Sequence, residues 1–199
     1  MDMERLDRQF AFCQEIDKEK TISRMTYISD GTRRENDAEH AWHAALMAVL
    51  LAEYSNEPID IARTMTMLLL HDLVEIDAGD AFAYDPEAQA VQHDKEVRAA
   101  DRIFGLLPED QRAYFRGLWE EFEDGTSPEA RFARVMDNLQ PLMLNAMQDG
   151  RLWREQGVAL RQVLERNRRT PAGSKTLWEY ARQSFIQPNV QAGNIKDES

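Results

Sequence analysis

The stretch from Met65 to Ile76 constrains this chain more than any other. Met65, Met67, Leu68, Leu69, Leu70, Leu73, Val74 and Ile76 leave almost no polar side on a helix that starts near Asp60. A helix apolar nearly all round belongs in the middle of a protein. Yet His71 and Asp72 stand inside it, and burying an imidazole or a charge without partners costs several kcal/mol. The fold must therefore build partners around them. At about 100° per residue, Glu75 lies about 40° from His71 and about 60° from Asp72, which puts three polar side chains on one helix face.

Elsewhere apolar residues recur at three- and four-residue intervals, and strict alternation over a strand's length is hard to find, so the chain reads as nearly all helix. Leu6, Phe10, Cys13 and Ile16 predict a first amphipathic helix, and Thr21 to Arg34 a polar, Arg-bearing connection. Asn36-Asp37-Ala38-Glu39 offers a short polar cap with Glu three residues on, the start of a helix running to about Glu53. Asp77-Ala78-Gly79-Asp80 ends the central helix, and Asp85-Pro86 opens a segment that closes near Gly105. Further helices are expected over Glu109 to Phe122, Glu129 to Gln148, Leu152 to Arg168 and Leu177 to Phe185, with a break at Gly125-Thr126-Ser127-Pro128. This gives one domain over residues 1–186 and a polar C-terminal tail, 187–199, made loose by Pro188 and Gly193.

Charge excludes one class of partner. With 24 Lys+Arg against 36 Asp+Glu, a net charge of −12, the chain lacks the basic surface that grips DNA or RNA through its phosphates, so no nucleic-acid polymer is expected. No apolar run approaches the roughly 18–20 residues of a membrane span, and Met-Asp-Met-Glu-Arg-Leu is not the basic-then-apolar start of a leader. The single cysteine, Cys13, cannot form an internal disulfide, and its simplest role is a small buried hydrophobe. The expected compartment is the cytoplasm.

His71-Asp72 is one of three polar anomalies. His40, followed by His43, opens the second helix, and Asp137 lies among Phe132, Val135, Met136, Leu139 and Leu142. Each alone is most simply a satisfied buried polar group. Together they favour one shared site. Two imidazoles and two carboxylates suit a divalent transition ion, and on an octahedral ion they leave two positions for water or substrate.

A His, then a His-Asp doublet 71 − 40 = 31 residues on, then an Asp 137 − 72 = 65 residues further, resembles the HD-domain superfamily of metal-dependent phosphohydrolases. The detailed likeness is to its 5′-deoxynucleotidases. It rests on Arg33-Arg34-Glu35-Asn36-Asp37-Ala38-Glu39-His40, on His71-Asp72-Leu73-Val74-Glu75 followed by Gly79-Asp80, and on Ala133-Arg134-Val135-Met136-Asp137-Asn138-Leu139. Leu118-Trp119-Glu120-Glu121-Phe122 and Thr126-Ser127-Pro128-Glu129-Ala130 extend it.

That resemblance implies an all-α HD-domain helical bundle holding one divalent metal ion (Mn, Co, Ni, Fe, Zn or Mg) through His40, His71, Asp72 and Asp137. Glu75 and Asp80 match carboxylates that orient or deprotonate the attacking water. Arg24 matches a phosphate-binding Arg, with Arg33 or Arg34 further candidates just before the first ligand helix. The implied reaction releases phosphate from a small phosphomonoester, foremost a (deoxy)nucleoside 5′-monophosphate, by attack of metal-bound water, and the implied assembly is a homodimer. Met25 stands where bacterial deoxynucleotidases carry Trp, and Ile76 where stringent-response hydrolases continue an acidic pair. Three other readings use the same residues. One is a non-catalytic, metal-stabilised HD binding or dimerisation module. Another is a phosphohydrolase of a different phosphoester, such as a cyclic or stringent-response nucleotide. The weakest is an HD oxygenase, which needs two irons and extra His ligands from His43 or His93.

Overall fold

A computed structural model of the protein describes residues 2–84 and 86–197, without the side chains of residues 86–90. The expected opening at Asp85 lies outside the described residues. The chain is helical as expected: α1 (Met3–Ile16), α2 (Asp37–Leu51), α3 (Ile61–Leu70), the single turn α4 (Glu75–Ala78), α5 (Pro86–Phe104), α6 (Glu109–Asp124) and α7 (Pro128–Met147). The shorter α8 (Arg151–Gln156), α9 (Leu160–Arg166), α10 (Thr170–Gly173), α11 (Lys175–Ala181) and α12 (Gln187–Gln191) follow.

The caps are written in the sequence. Asn36 accepts from the Glu39 N–H and the Glu39 side chain returns to the Asn36 N–H, a complete capping box for α2. Ser127 caps α7 with Pro128 in its first turn, and Gly125, at φ 64°, closes α6 in the left-handed conformation that glycine adopts without penalty.

The centre is built from α2, α3 and α7, which pack on one another. Ala44, Ala45 and Ala48 on α2 are buried with Met67 and Leu68 of α3 and Phe132, Ala133 and Met136 of α7 in one apolar cluster. Small alanines let α2 lie close against its neighbours, which brings a histidine on its first turn within reach of α7.

Several expectations are corrected. The Thr21 to Arg34 connection contains a short antiparallel hairpin, β1 (Ser23–Tyr27) and β2 (Arg34–Asn36); its strands are too short to show a period of two. The central helix stops at Leu70, and His71 to Val74 form turns before α4. The expected helix from Leu152 to Arg168 is two helices, split at Gly157, φ 62°. Residues 187–196 are not loose: α12 forms, Ile195 is fully buried, and Lys196 bridges to Ala159. A single aliphatic side chain that fills the core holds a stretch that composition alone reads as a tail.

On α1, Phe12 occupies the core and Phe10 and Cys13 are exposed, so the buried stripe is rotated from the expected one. Cys13 is no buried hydrophobe. No described helix is long and apolar enough to cross a membrane.

Candidate metal centre

His40 lies in the first turn of α2, His71 and Asp72 on the turn that ends α3, and Asp137 in the middle of α7. The structure brings all four together. His40 Nε2 is 3.3 Å from Asp137 Oδ1 and 3.9 Å from Asp72 Oδ2. His71 Nε2 is 3.1 Å from Asp72 Oδ2 and 3.6 Å from Asp137 Oδ1. His40, His71 and Asp72 form a candidate metal site.

Two hydrogen bonds fix which ring nitrogen faces that site. His40 Nδ1 is bonded to Gln140 Oε1 at 2.9 Å, and His71 Nδ1 to the carbonyl of Leu68 at 2.8 Å. Both partners are acceptors, so each Nδ1 carries a proton and each Nε2 is turned to the carboxylates. Both Nε2 atoms are buried and satisfy no hydrogen bond. Buried polar atoms are rarely left so, and two imidazole Nε2 atoms converging with two carboxylates are a donor set that fits a divalent cation. In the protein alone burial opposes a charged His71, but the Asp72 and Asp137 carboxylates outweigh it and hold the imidazole above its ordinary range. A cation bound here displaces that proton.

Arg24, on β1, reaches the same place. Its Nη1 donates to Asp72 Oδ2 at 2.6 Å and Asp37 Oδ1 at 3.1 Å, and its Nε lies 3.7 Å from Glu35 Oε1. Burial works against the Asp72 carboxylate, yet His71 and Arg24 outweigh it and keep Asp72 ionised below the usual carboxylate range. Glu75, in the first turn of α4, is buried, and its Oε2 meets no hydrogen-bond partner. Burial, then the Asp72 and Asp37 charges, push Glu75 well above an ordinary Glu, and burial carries Asp37 up to about 7. Asp80, just past the Gly79 turn, is raised by burial, with the Arg24 charge opposing the shift.

Arg24, Met25, His71, Asp72, Glu75, Asp80 and Asp137 all line one cavity of about 210 Å³, and Tyr84, Glu123, Arg134 and Arg166 complete much of its wall. Arg33 and Arg34 are not among its lining residues. Arg33 is exposed and grips Glu39 through two bonds of 2.8 and 2.6 Å, and Arg34 lies over the Tyr27 ring. His43 is half-buried, 3.3 Å from Gln140 Nε2, and His93 is exposed.

Sequence reasoning missed Glu35, Asp37, Gln140 and Arg166. Gln140 follows Asp137 by three residues and so shares its helix face, a signal available in principle. Arg166 approaches Asp137 Oδ2 at 3.4 Å across 29 residues of chain, and nothing local announces it. One backbone feature adds to the setting of Asp137: Pro141 within α7 has no N–H to give the carbonyl four residues earlier, which is that of Asp137.

Residues 16–178 match the family described as HD domain. The 5′-deoxynucleotidase HDDC2 of Danio rerio is 29% identical over 139 residues, covering 69% of this chain and 68% of that protein. The human 5′-deoxynucleotidase HDDC2 is 28% identical over 133 residues, covering 66% and 64%. A crystal structure of a predicted metal-dependent phosphohydrolase from Magnetospirillum magnetotacticum superposes with a TM-score of 0.92 at 48% identity, covering 96% of each chain. A conserved hypothetical protein from Pyrococcus furiosus shares the fold at 21% identity, TM-score 0.60, over 87% of this chain and 99% of that one.

Proposed function

The chain belongs to the HD-domain family and is a metal-dependent phosphohydrolase; from that premise we propose that it removes phosphate from (deoxy)nucleoside 5′-monophosphates. The observation that carries the reading is the pair of unpartnered Nε2 atoms of His40 and His71 facing two carboxylates, beside a cavity that also holds an Arg and a buried Glu. The deoxynucleotidase relatives supply the substrate class.

His40, His71, Asp72 and Asp137 would hold the cation. When bound, it supplies Lewis acidity, lowering the pKa of a coordinated water and neutralising phosphoryl charge. The side chains do the rest. Glu75, in its ionised form, accepts the proton of the attacking water, and the neighbouring Asp37 and Asp72 charges raise its affinity for that proton. Arg24 turns its guanidinium from Asp72 and Asp37 toward the phosphate oxygens, a geometry Arg can meet through two hydrogen bonds. Asp80 orients water or sugar from the cavity wall. Water attacks phosphorus in line, and the nucleoside 5′-oxygen leaves.

A second copy of the chain would cover the exposed face of α2, where Trp42 (63% exposed), Leu46, Val49 and Leu50 stand in a row, and a homodimer is part of this reading. So is a cytoplasmic setting, supported by a lone Cys13 without an internal disulfide partner.

The test is phosphate release from nucleoside mono-, di- and triphosphates by metal-stripped protein with Mg, Mn, Co, Ni or Zn restored singly. Release from 5′-monophosphates, slowed about 10²–10⁴-fold by Glu75→Gln without loss of bound metal, is expected. Silence on every nucleotide with metal bound would transfer the reading to another phosphoester or to a non-catalytic module.

A further inference from the structure

Asp137 has two faces. Its Oδ1 meets the two imidazoles, while its Oδ2 lies 3.4 Å from Arg166 Nη2. On that second side is an adjoining hollow of about 250 Å³ lined by Arg134, Asp137, Asn138 and Arg166, which also line the first cavity, and by Arg168 and Arg169. Four cations and one carboxylate line it in a protein of net charge −12. Such a local inversion of charge attracts anions against the field of the whole molecule.

The hollow is held by buried structure. Arg134 is clamped on the Phe122 ring and donates to the Phe122 carbonyl at 3.0 Å. Arg166 ends α9, and Arg168 and Arg169 ride on the turn after it. Buried Asn167 ties that turn back to the Val163 carbonyl at 2.8 Å, and Thr170 closes it with a backbone bond to Asn167 at 3.0 Å. Gly173 then lets α10 touch α7, since a Cβ there would lie 2.4 Å from the Arg131 carbonyl. The basic turn is thereby pressed onto the helix that carries Asp137.

We propose that Arg134, Arg166 and Arg169 frame a second anion subsite, across Asp137 from the candidate metal centre, that binds a phosphate group. Arg168 is partly engaged, pairing with Glu165 at 2.9 Å, whereas Arg169 is exposed at the rim. An incoming phosphate takes Arg166 from Asp137 Oδ2 and bridges it to Arg169, a planar fork on each side. That phosphate is either a second phosphate of the substrate, remote from the one being cleaved, or free inorganic phosphate. The substrate form rests on the hydrolysis proposed above; the binding itself does not.

Two arms test it. Inorganic phosphate is titrated calorimetrically into chelator-treated full-length protein, wild type, Arg169→Gln and Arg166→Gln. A loss of affinity of about tenfold in Arg169→Gln and at least as much in Arg166→Gln, with affinity falling as salt is raised, is expected. Arg169 is exposed, so its variant keeps the test sound if Arg166→Gln disturbs Asp137. Unchanged phosphate affinity in both variants overturns the subsite. In the second arm KM is compared for a nucleoside 5′-monophosphate and the matching 3′,5′-bisphosphate. A lower KM for the bisphosphate that Arg169→Gln abolishes assigns the subsite to substrate; no such preference, with phosphate binding still lost in the variant, assigns it to the free ion. If no nucleotide is hydrolysed while Arg169→Gln still loses phosphate, the subsite stands and the nucleotidase reading falls.

Discussion

Gln140 decides the protonation of His40. The Gln140 amide nitrogen donates to Glu35 Oε2 at 2.8 Å, so its oxygen is the atom presented to His40 Nδ1 at 2.9 Å. An oxygen can only accept, which places the imidazole proton on Nδ1 and leaves Nε2 for a cation. A hydrogen-bond chain from β2 through α7 thus orients a ring on α2.

Replacing Gln140 with Leu keeps the volume close and removes that acceptor. Metal affinity should fall about 10–100-fold, the usual cost of losing a group that orients a metal-binding imidazole. Competition titration against a chromogenic chelator measures it, and an unchanged affinity would show that the ring is oriented by packing alone.

Asp137→Ala removes the carboxylate shared by His40, His71 and Arg166. Bound metal, counted by elemental analysis, and phosphate release should be lost together, while circular dichroism remains helical. Activity surviving loss of the metal would sever the link between the two.

Stability should fall as pH rises, through Glu19. This residue is 8% exposed, its Oε1 meets no hydrogen-bond partner, and burial, followed by the Asp72 charge, carries its pKa up to about 7 from 4.5. The folded protein keeps a proton that the unfolded chain releases between those values, so this group's stabilising contribution is full below about pH 4.5 and lost as pH passes 7. Glu19→Gln should raise stability at pH 8 by on the order of 2–3 kcal/mol and leave pH 4 nearly unchanged. Urea denaturation of chelator-treated protein at the two pH values decides it; equal gains at both would assign the effect to shape instead of charge.

Ile195→Ala should cost about 2–5 kcal/mol, the range for emptying a buried aliphatic site, although it stands four residues from the last residue, Ser199. The urea midpoint checks this, and no shift would mean that the C-terminal segment adds nothing to the core.

The sequence carried the parts of this structure that depend on local rules. Asn36 and Glu39 cap α2 and Ser127 and Pro128 open α7 because capping is settled within four residues. His40, His71, Asp72 and Asp137 were legible because each is polar in apolar surroundings, and their meeting follows once α2, α3 and α7 form the core. The β1–β2 hairpin was hidden because three to five residues are too few for a period. The stop at Leu70 was hidden because the apolar pattern runs on to Ile76 while the backbone turns. Arg33 and Arg34 were read by proximity in sequence to His40, yet the pairing with Glu39 and the Tyr27 ring take them elsewhere. Gln140, Glu35 and Arg166 act through partners 29 to 105 residues away, and no spacing rule reaches that far.

The position of Asp137 on α7 also sets a clock. His40 and the His71-Asp72 doublet leave the ribosome 137 − 72 = 65 residues or more before Asp137 does. At roughly 5–20 residues per second, a growing chain spends several seconds displaying two imidazoles and one carboxylate without the fourth side chain. The complete donor set is thus a late event in the making of the protein, present only once α7 has been made.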